Sequence, residues 1–312
     1  MIIYQYPQAE KLNIQDCVLA LGFFDGVHIA HRDLMLAAKK IAGERGLAFG
    51  IFTFGSQGGI KNGVRRLYND EEKAELFCEV GADFTVFADF GKIASLSPEE
   101  FVKTTLCADL SCRVCVAGFN FRFGKGAAAD SNMLSRLMSE SRAEAMICEE
   151  ITDKGQTLSA TMIRGLIEDG RIEEANRLLG APYYIKGRVL HGRRDGRKMG
   201  FPTVNIAIGE GKILPRRGVY RSCAVIDGRI YGGVSNVGVC PTFDGEDIRL
   251  ETHLIDFEGD LYDREIRVYL LGYLREEKKF GSIDELKEQI RTDKNRAIQE
   301  NGEITWQELG LK

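Results

Sequence analysis

CVLALGFFDGVHIAH, residues 17–31, decides the architecture of the first half of the chain. Cys17 to Phe24 is an unbroken apolar run, which marks a strand covered on both faces. A helix follows from about His31 to Glu44. Leu34, Met35, Ala38 and Ile41 share one of its faces, and Gly46 can stop it. Ala48 to Phe54 is the next strand, and 84–87, 113–117 and 145–148 are further candidates. Helices are expected near 70–80, 98–107 and 130–140. Ser97-Pro98-Glu99-Glu100 combines an N-cap serine, a proline at the first helical position and a capping-box glutamate. This alternation predicts an α/β, Rossmann-like domain with a mostly parallel sheet covered by helices.

Helices at about 159–169 and 171–179 close this half. Gly180-Ala181-Pro182 breaks the pattern, so the domains are read as 1–182 and 183–312. The second half is a series of short strands: IKGRVLHG, PTVNI, GVYRSCAVI, RIYGGVSNVG, RLETHLIDF and EIRVYLLGYL. Asp227-Gly228 is a tight hairpin turn between two of them. Such a series predicts a small antiparallel β-barrel. A terminal helix begins at the capping box Ser282 to Glu285 and carries Leu286, Gln289 and Ile290.

The 312 residues contain 42 basic and 46 acidic side chains, a net charge of −4. That balance lacks the basic excess of nucleic-acid or membrane-surface proteins. The N-terminus has no charged-then-apolar leader, and no apolar run approaches the ~20 residues of a membrane span. A cytoplasmic protein with eight reduced cysteines is therefore expected. Cys112 and Cys115 form a CxxC with Cys107 nearby. No fourth ligand stands at a zinc spacing, so CRVCVAG reads as a buried strand.

In an open parallel sheet, ligands bind beyond the carboxyl ends of the strands. Gly22 to His31 occupies that place after the first strand, with His28 and His31 at a helix start whose free N–H groups attract anions. A metal pair or two incidental surface histidines is the competing reading. Neither GxGxxG nor GxxxxGK[ST] is present. GFNFRFGKG, residues 118–126, follows another strand and offers Asn120 and Arg122 among aromatics; a turn with packed phenylalanines is its plainer reading. SATMIR, residues 159–164, opens a helix, where Ser159 and Thr161 either cap it or meet phosphate, with Arg164 in its first turn.

The H-x-x-H at a strand–helix junction resembles the nucleotidyltransferase superfamily. GFFDGVHIAH, GFNFRFGKG and SATMIR, in that order, resemble the FMN adenylyltransferase domain of the bacterial bifunctional riboflavin kinase/FAD synthetases. GRVLHGRRDGRKMGFPTVNI, LPRRGVY, GGVSNVGVCPTF, LETHLIDFEGDLYDREIRVYLLGYLREEKKF and SIDELKEQIRTD are similar to the riboflavin kinase domain of the same family. The resemblance implies two ATP-dependent reactions: phosphorylation of riboflavin to FMN, and adenylylation of FMN to FAD with release of pyrophosphate. Riboflavin, FMN and ATP are then the partners, Mg2+ accompanies ATP, and neither nucleic acid nor membrane is involved.

Carried over residue by residue, the resemblance gives His28 and His31 the ATP phosphates. Gly22, Phe24, Asp25, Gly26, Asn120, Arg122, Ser159, Thr161 and Arg164 fall to substrate binding. In the second half the loop containing Gly192, Arg197 and Gly200 wraps phosphates, where a solvated basic loop is the plainer reading. Thr203 and Asn205, spaced to share one face of a strand, offer hard oxygen ligands to magnesium. Glu251 becomes the general base for the riboflavin 5′-hydroxyl, and Arg275 and Glu277 lie near the flavin; for that pair an exposed ion pair is the alternative. His191 and His253 have no chemical role, and packing is expected of both. The chain departs from the family pattern in having Ala30 and Ala160 at a usual glycine and serine. It also has Gly55-Ser56-Gln57-Gly58 at a usual Pro-His-Pro segment, and Ala129-Asp130 at a usual Gly-Asp pair. Besides the bifunctional reading, these departures leave a monofunctional riboflavin kinase with a degenerate adenylyltransferase domain. A flavin- or nucleotide-binding regulatory module without turnover is a third reading, opposed by GFPTVN together with Glu251, since a binder needs no base.

Overall fold

The computed structural model describes residues 1–7, 14–55, 65–191, 201–209, 211–242 and 245–310. The chain forms two compact units, Met1–Ala160 and Thr161–Lys312.

The first unit is a six-stranded parallel sheet in the order β1-β4-β3-β2-β5-β6. Its strands are β1 (Ile2–Tyr6), β2 (Cys17–Leu21), β3 (Ala48–Phe54), β4 (Phe84–Ala88), β5 (Cys112–Gly118) and β6 (Glu144–Cys148). β2 is central and wholly buried, as its unbroken apolar run requires. Cys17, Leu19 and Leu21 point into a core with Cys112, Cys115, Phe101, Leu106 and Leu134. The cysteines of the CxxC are thus packing residues, and every cysteine whose side chain is described is a free thiol. Helix α1 (Ile29–Arg45) packs on β2, β3 and β5 and ends at Gly46 with φ 65°. Its buried face is Leu34, Met35, Ala38 and Ala42; Ile41, expected there, is only half-buried.

Other expectations are corrected in detail. β2 ends at Leu21, because Phe24 (φ 51°) turns the chain out of the sheet. α1 begins two residues early, with His28 as its N-cap. α2 (Asp70–Val80) carries a second full capping box, Asn69 with Glu72. After the short helix α3 (Phe90–Ile93), the capping box at Ser97 and Glu100 is present but starts only one α-turn, α4 (Pro98–Glu100). The chain then continues as a π-helix, Phe101–Asp109, whose wider turn buries Phe101, Val102, Thr105 and Leu106. α5 (Ser131–Glu140) is N-capped by Asp130. β1 and the small hairpin β7 (Thr152–Asp153) and β8 (Gln156–Thr157) have no counterpart in the sequence reading.

The second unit holds α6 (Ala160–Glu168), of which Ala160 is the last residue of the first unit, and α7 (Ile172–Leu179). As a compact unit, the barrel thus includes α7 and most of α6. Asn176 of α7 ties this helix to the strands, donating to the Leu270 carbonyl (2.8 Å) and accepting from the Tyr183 N–H (2.8 Å). Six antiparallel strands close a barrel in the order β10-β13-β12-β11-β14-β9. They are β9 (Tyr184–Leu190), β10 (Thr203–Ala207), β11 (Gly218–Ile226), β12 (Arg229–Thr242), β13 (Gly245–Leu254) and β14 (Glu265–Arg275). Asp227 (φ 49°) and Gly228 (φ 74°) form the expected turn between β11 and β12. α8 (Ile283–Asn301) packs on β11 and β12. No helix among the described residues is long and apolar enough to cross a membrane.

Candidate active sites

The strand order of the first unit reverses at β2, which has β3 on one side and β5 on the other. The loops after β2 and β5 therefore leave the same edge side by side, the usual ligand crevice of such sheets. The β2 loop is strained: Phe24, Gly26 and Val27 have φ 51°, 91° and 44°. Left-handed backbone is rare at a β-branched residue and carries about 1–3 kcal/mol of strain. Burial of Phe24 and Val27, and a bond from Arg32 Nε to the Val27 carbonyl (3.1 Å), hold it in place. A Cβ at Gly22 would lie 2.6 Å from the Phe24 ring, so only glycine fits beneath it. Asp25 is buried and accepts the Leu67 N–H (3.0 Å).

His28 Nδ1 accepts the His31 N–H (3.4 Å), which caps α1. Its neutral ring therefore carries hydrogen on Nε2, a donor for an incoming phosphate oxygen. The two imidazoles stack with centroids 3.5 Å apart, and Phe24 packs edge-on against His31 at 5.2 Å. Burial lowers the His28 pKa from 6.5 to about 4. Burial first, then the neighbouring His28 and Lys73, holds His31 well below its ordinary value. His31 Nδ1 is buried without a hydrogen-bond partner. Both histidines are thus neutral beside the N-terminus of α1. Asn120 and Arg122 are exposed beyond β5, whereas Phe123 is buried against Phe101 and Phe121. Ser159 immediately precedes α6 and is half-buried; in the second unit, Arg164 Nη2 donates to Thr161 Oγ1 (2.8 Å).

In the barrel, register places Glu251 between Asn205 on β10 and Asn236 on β12. Thr203 Oγ1 donates to Glu251 Oε1 at 2.7 Å. Asn236 Nδ2 donates to Glu277 Oε1 (3.2 Å), while Asn236 Oδ1 is buried without a partner. A Cβ at Gly238 would come within 2.3 Å of Glu277 Oε1, so glycine makes room for that carboxylate. Thr203, Asn205 and Glu251 form one row of oxygen donors on the outward face, opposite the buried hydroxyls of Ser222, Ser235 and Thr252. Among the described residues no cluster of three His, Cys, Asp or Glu side chains could hold a metal. A hydroxyl and an amide oxygen instead suit a magnesium ion that keeps most of its ligands as water and phosphate.

His253 does more than pack. It lies opposite Thr203, its Nδ1 donates to the Pro202 carbonyl (2.9 Å), and Phe201 sits edge-on to it, so it fixes the entry into β10. His191 stacks on Tyr262 and meets Asp263 (3.2 Å). Arg275 is committed to α8 through Asp293, with Nη2 2.7 Å from Oδ2. Glu277 is exposed. Gly192, Arg197 and Gly200 lie outside the described residues.

The two units coincide with two family models: FAD synthetase over residues 10–162 and riboflavin kinase over residues 179–300. The bifunctional riboflavin kinase/FMN adenylyltransferase of Bacillus subtilis is 36% identical over 291 residues, covering 90% of this chain and 91% of that protein. The Escherichia coli K12 enzyme of the same description is 33% identical over 297 residues, covering 93% and 94%. The chain belongs to the bifunctional riboflavin kinase/FMN adenylyltransferase family. A solved chain described as a macrolide-efflux protein from Streptococcus pneumoniae shares the fold throughout, with TM-score 0.86, 30% identity, and coverage of 97% of this chain and 100% of that one.

Within this family's motifs, the departures among the described residues fall on undemanding backbone. Ala30 lies in the first turn of α1 with no left-handed φ. Ala129 bridges to Phe123, and Asp130 caps α5. Gly55 donates to the Ala88 carbonyl (3.1 Å), while Ser56, Gln57 and Gly58 lie outside the described residues. Two residues escaped the sequence reading. Lys73 is 1% exposed beside the β2 loop; its signal was the spacing Lys73, Leu76, Phe77, Val80, which puts a lysine on the apolar stripe of α2. Asn236 needed the register of β12 against β13, which no local pattern supplies.

Proposed function

We propose that residues 183–312 transfer the γ-phosphoryl group of ATP to the riboflavin 5′-hydroxyl, and that residues 1–182 transfer the adenylyl group of a second ATP to the FMN phosphate. The observation that carries the kinase reading is the Thr203–Glu251 contact at 2.7 Å with Asn205 opposite. The hydroxyl oxygen attacks the γ-phosphorus, the bond to the β–γ bridging oxygen breaks, ADP leaves, and Glu251 takes the hydroxyl proton. Thr203 Oγ1 and the Asn205 amide oxygen would hold Mg2+, which when bound neutralises charge on the phosphates.

In the second reaction a phosphate oxygen of FMN attacks the α-phosphorus and pyrophosphate leaves. No base is needed, so His28 and His31 act as neutral donors to phosphate oxygens at the N-terminus of α1. Asn120 and Arg122 beyond β5 add donors. The described free thiols accord with a reducing, cytoplasmic setting.

The bifunctional reading is favoured over a kinase alone by the strained loop and the stacked histidine pair of the first unit. Incubation of the pure protein with riboflavin, ATP and magnesium, followed by chromatography, tests it. FAD should appear after FMN. FMN without FAD would leave only the kinase; no FMN would refute the kinase assignment, and no FAD from supplied FMN would refute the adenylyltransferase assignment. His28→Ala should abolish FAD formation and spare FMN formation.

A further inference from the structure

Lys73 on α2 lies almost fully buried under the carboxyl edge of the parallel sheet, at 1% exposure. Its ammonium donates to the carbonyls of Phe23 (3.0 Å) and Phe54 (3.3 Å) and to the hydroxyl of Thr53 (2.9 Å). Thr53 in turn donates its hydroxyl hydrogen bond to the same Phe23 carbonyl (2.9 Å). The rings of Phe23, Phe87 and Phe77 surround the cation at 5.3, 5.6 and 5.9 Å. Among the described residues no carboxylate lies within the 4.0 Å of an ion pair. A buried cation held by dipoles and ring faces, with its nearest carboxylates beyond ion-pair reach, is costly, and such groups cluster where their charge is used.

The bonds have a direction. A trans peptide is planar, so holding the Phe23 carbonyl toward Lys73 turns the Phe24 N–H the opposite way. Phe24 opens the left-handed stretch and packs against His31, so one cation orients the whole segment from Phe24 to His31. The titratable groups facing it are Asp25 in the β2 loop, Arg66 before α2, Asp70 at the start of α2, and His31 in the first turn of α1.

We propose that Lys73 is a positioning residue of the adenylyl-transfer site: as a cation it locks the Phe23 carbonyl, and through it the Phe24–His31 loop, in the arrangement that receives the ATP phosphates. This rests on the adenylyltransferase reading above. Burial brings Lys73 down to a pKa of about 8, against the opposing pull of Asp70 and Asp25, so the lock opens within an accessible pH range.

The test is the pH profile of kcat/KM for FAD formation from FMN and ATP, which reports groups of the free protein. Wild type, K73R and K73M are compared from pH 6 to about 10, with riboflavin phosphorylation measured in the same samples. Wild type should lose FAD formation above about pH 8. K73R should keep the activity and move that fall upward. K73M should be on the order of 10²-fold slower with no such fall, as a misplaced site would be. Kinase activity should be unchanged throughout. Should K73M fail to fold, K73R decides alone, since its alkaline limb either moves or stays. A wild-type profile flat to pH 10, or variants that keep the wild-type limb and rate, would overturn the inference while leaving FAD synthesis intact. Wild-type protein that makes FMN but no FAD would defeat the adenylyltransferase reading and this inference together.

Discussion

Replacing Glu251 by glutamine separates chemistry from folding in the barrel. The amide keeps an oxygen where Thr203 donates at 2.7 Å and keeps the side chain's size between Asn205 and Asn236. Only the ability to take a proton goes. A hydrogen bond to a charged acceptor is about twice as strong as a neutral one, so the stability loss is about 1 kcal/mol. Against a domain stability of about 5–15 kcal/mol, that leaves the barrel folded. A general base is worth roughly 10²–10⁴ in rate, or about 3–5 kcal/mol of barrier. The two effects differ enough to be read apart in one preparation. FMN formation should fall at least about 100-fold in kcat with KM for ATP little changed, while the melting temperature drops by only a few degrees. FAD formation from supplied FMN should be untouched. E251Q turning over within about threefold of wild type would refute the assignment of Glu251 as base.

Thr203→Val keeps the shape of the side chain and removes its oxygen; the magnesium concentration for half-maximal FMN formation should rise on the order of tenfold, with Thr203→Ser restoring it. His28 has a folded pKa of about 4 against 6.5 when exposed, so the unfolded chain binds the extra proton first as the pH falls. Its contribution is complete above about pH 6.5 and is lost toward pH 4, by up to about 3 kcal/mol, with His31 acting in the same direction; urea unfolding at pH 7 and 4.5 should show a smaller difference in H28A than in wild type. Asp293→Ala strands the Arg275 guanidinium, whose side chain is 23% exposed beside an Asp293 at 7%. Discounting a fully buried pair for that exposure gives a loss of about 2 kcal/mol, measurable as a lowered urea midpoint.

What was legible in the sequence is what local chemistry controls. The unbroken run at 17–21 forces a strand buried on both faces, Asp227-Gly228 supplies two residues that tolerate positive φ, and Ser97 with Glu100 closes a capping box on its own neighbours. The rest depends on partners distant in sequence. The π-helix after Glu100 buries Phe101, Val102, Thr105 and Leu106, a spacing that an α-helix would also give, so the sequence does not tell the two apart. β1 is an edge strand whose exposed Ile2 and Ile3 give no inward pattern. Thr203 and Glu251 were each readable, but their contact requires β10 paired to β13 in one register, and a one-residue slip would turn the glutamate into the barrel. Lys73 was passed over because charged residues on a helix default to its wet face.

The four departures in the first unit bear on whether that unit works, and strain is the better witness. Ala30, Ala129 and Ala160 sit where the backbone adopts ordinary or paired conformations, so each replaces a side chain without moving the frame. The frame itself is expensive: left-handed Phe24 and Val27, two neutral histidines, one buried and one half-buried, with one unpartnered nitrogen, and a lysine buried among carbonyls and rings. Left-handed backbone and buried polar groups both carry a cost that an apolar residue or a looser loop would avoid. In the adenylyl-transfer site proposed above, phosphate oxygens would accept from the imidazoles and from the N-terminus of α1 while offsetting the lysine's charge. Strained loop, imidazole pair and caged lysine are all kept around Ala30, Ala129 and Ala160, as the adenylyl-transfer site proposed above would require.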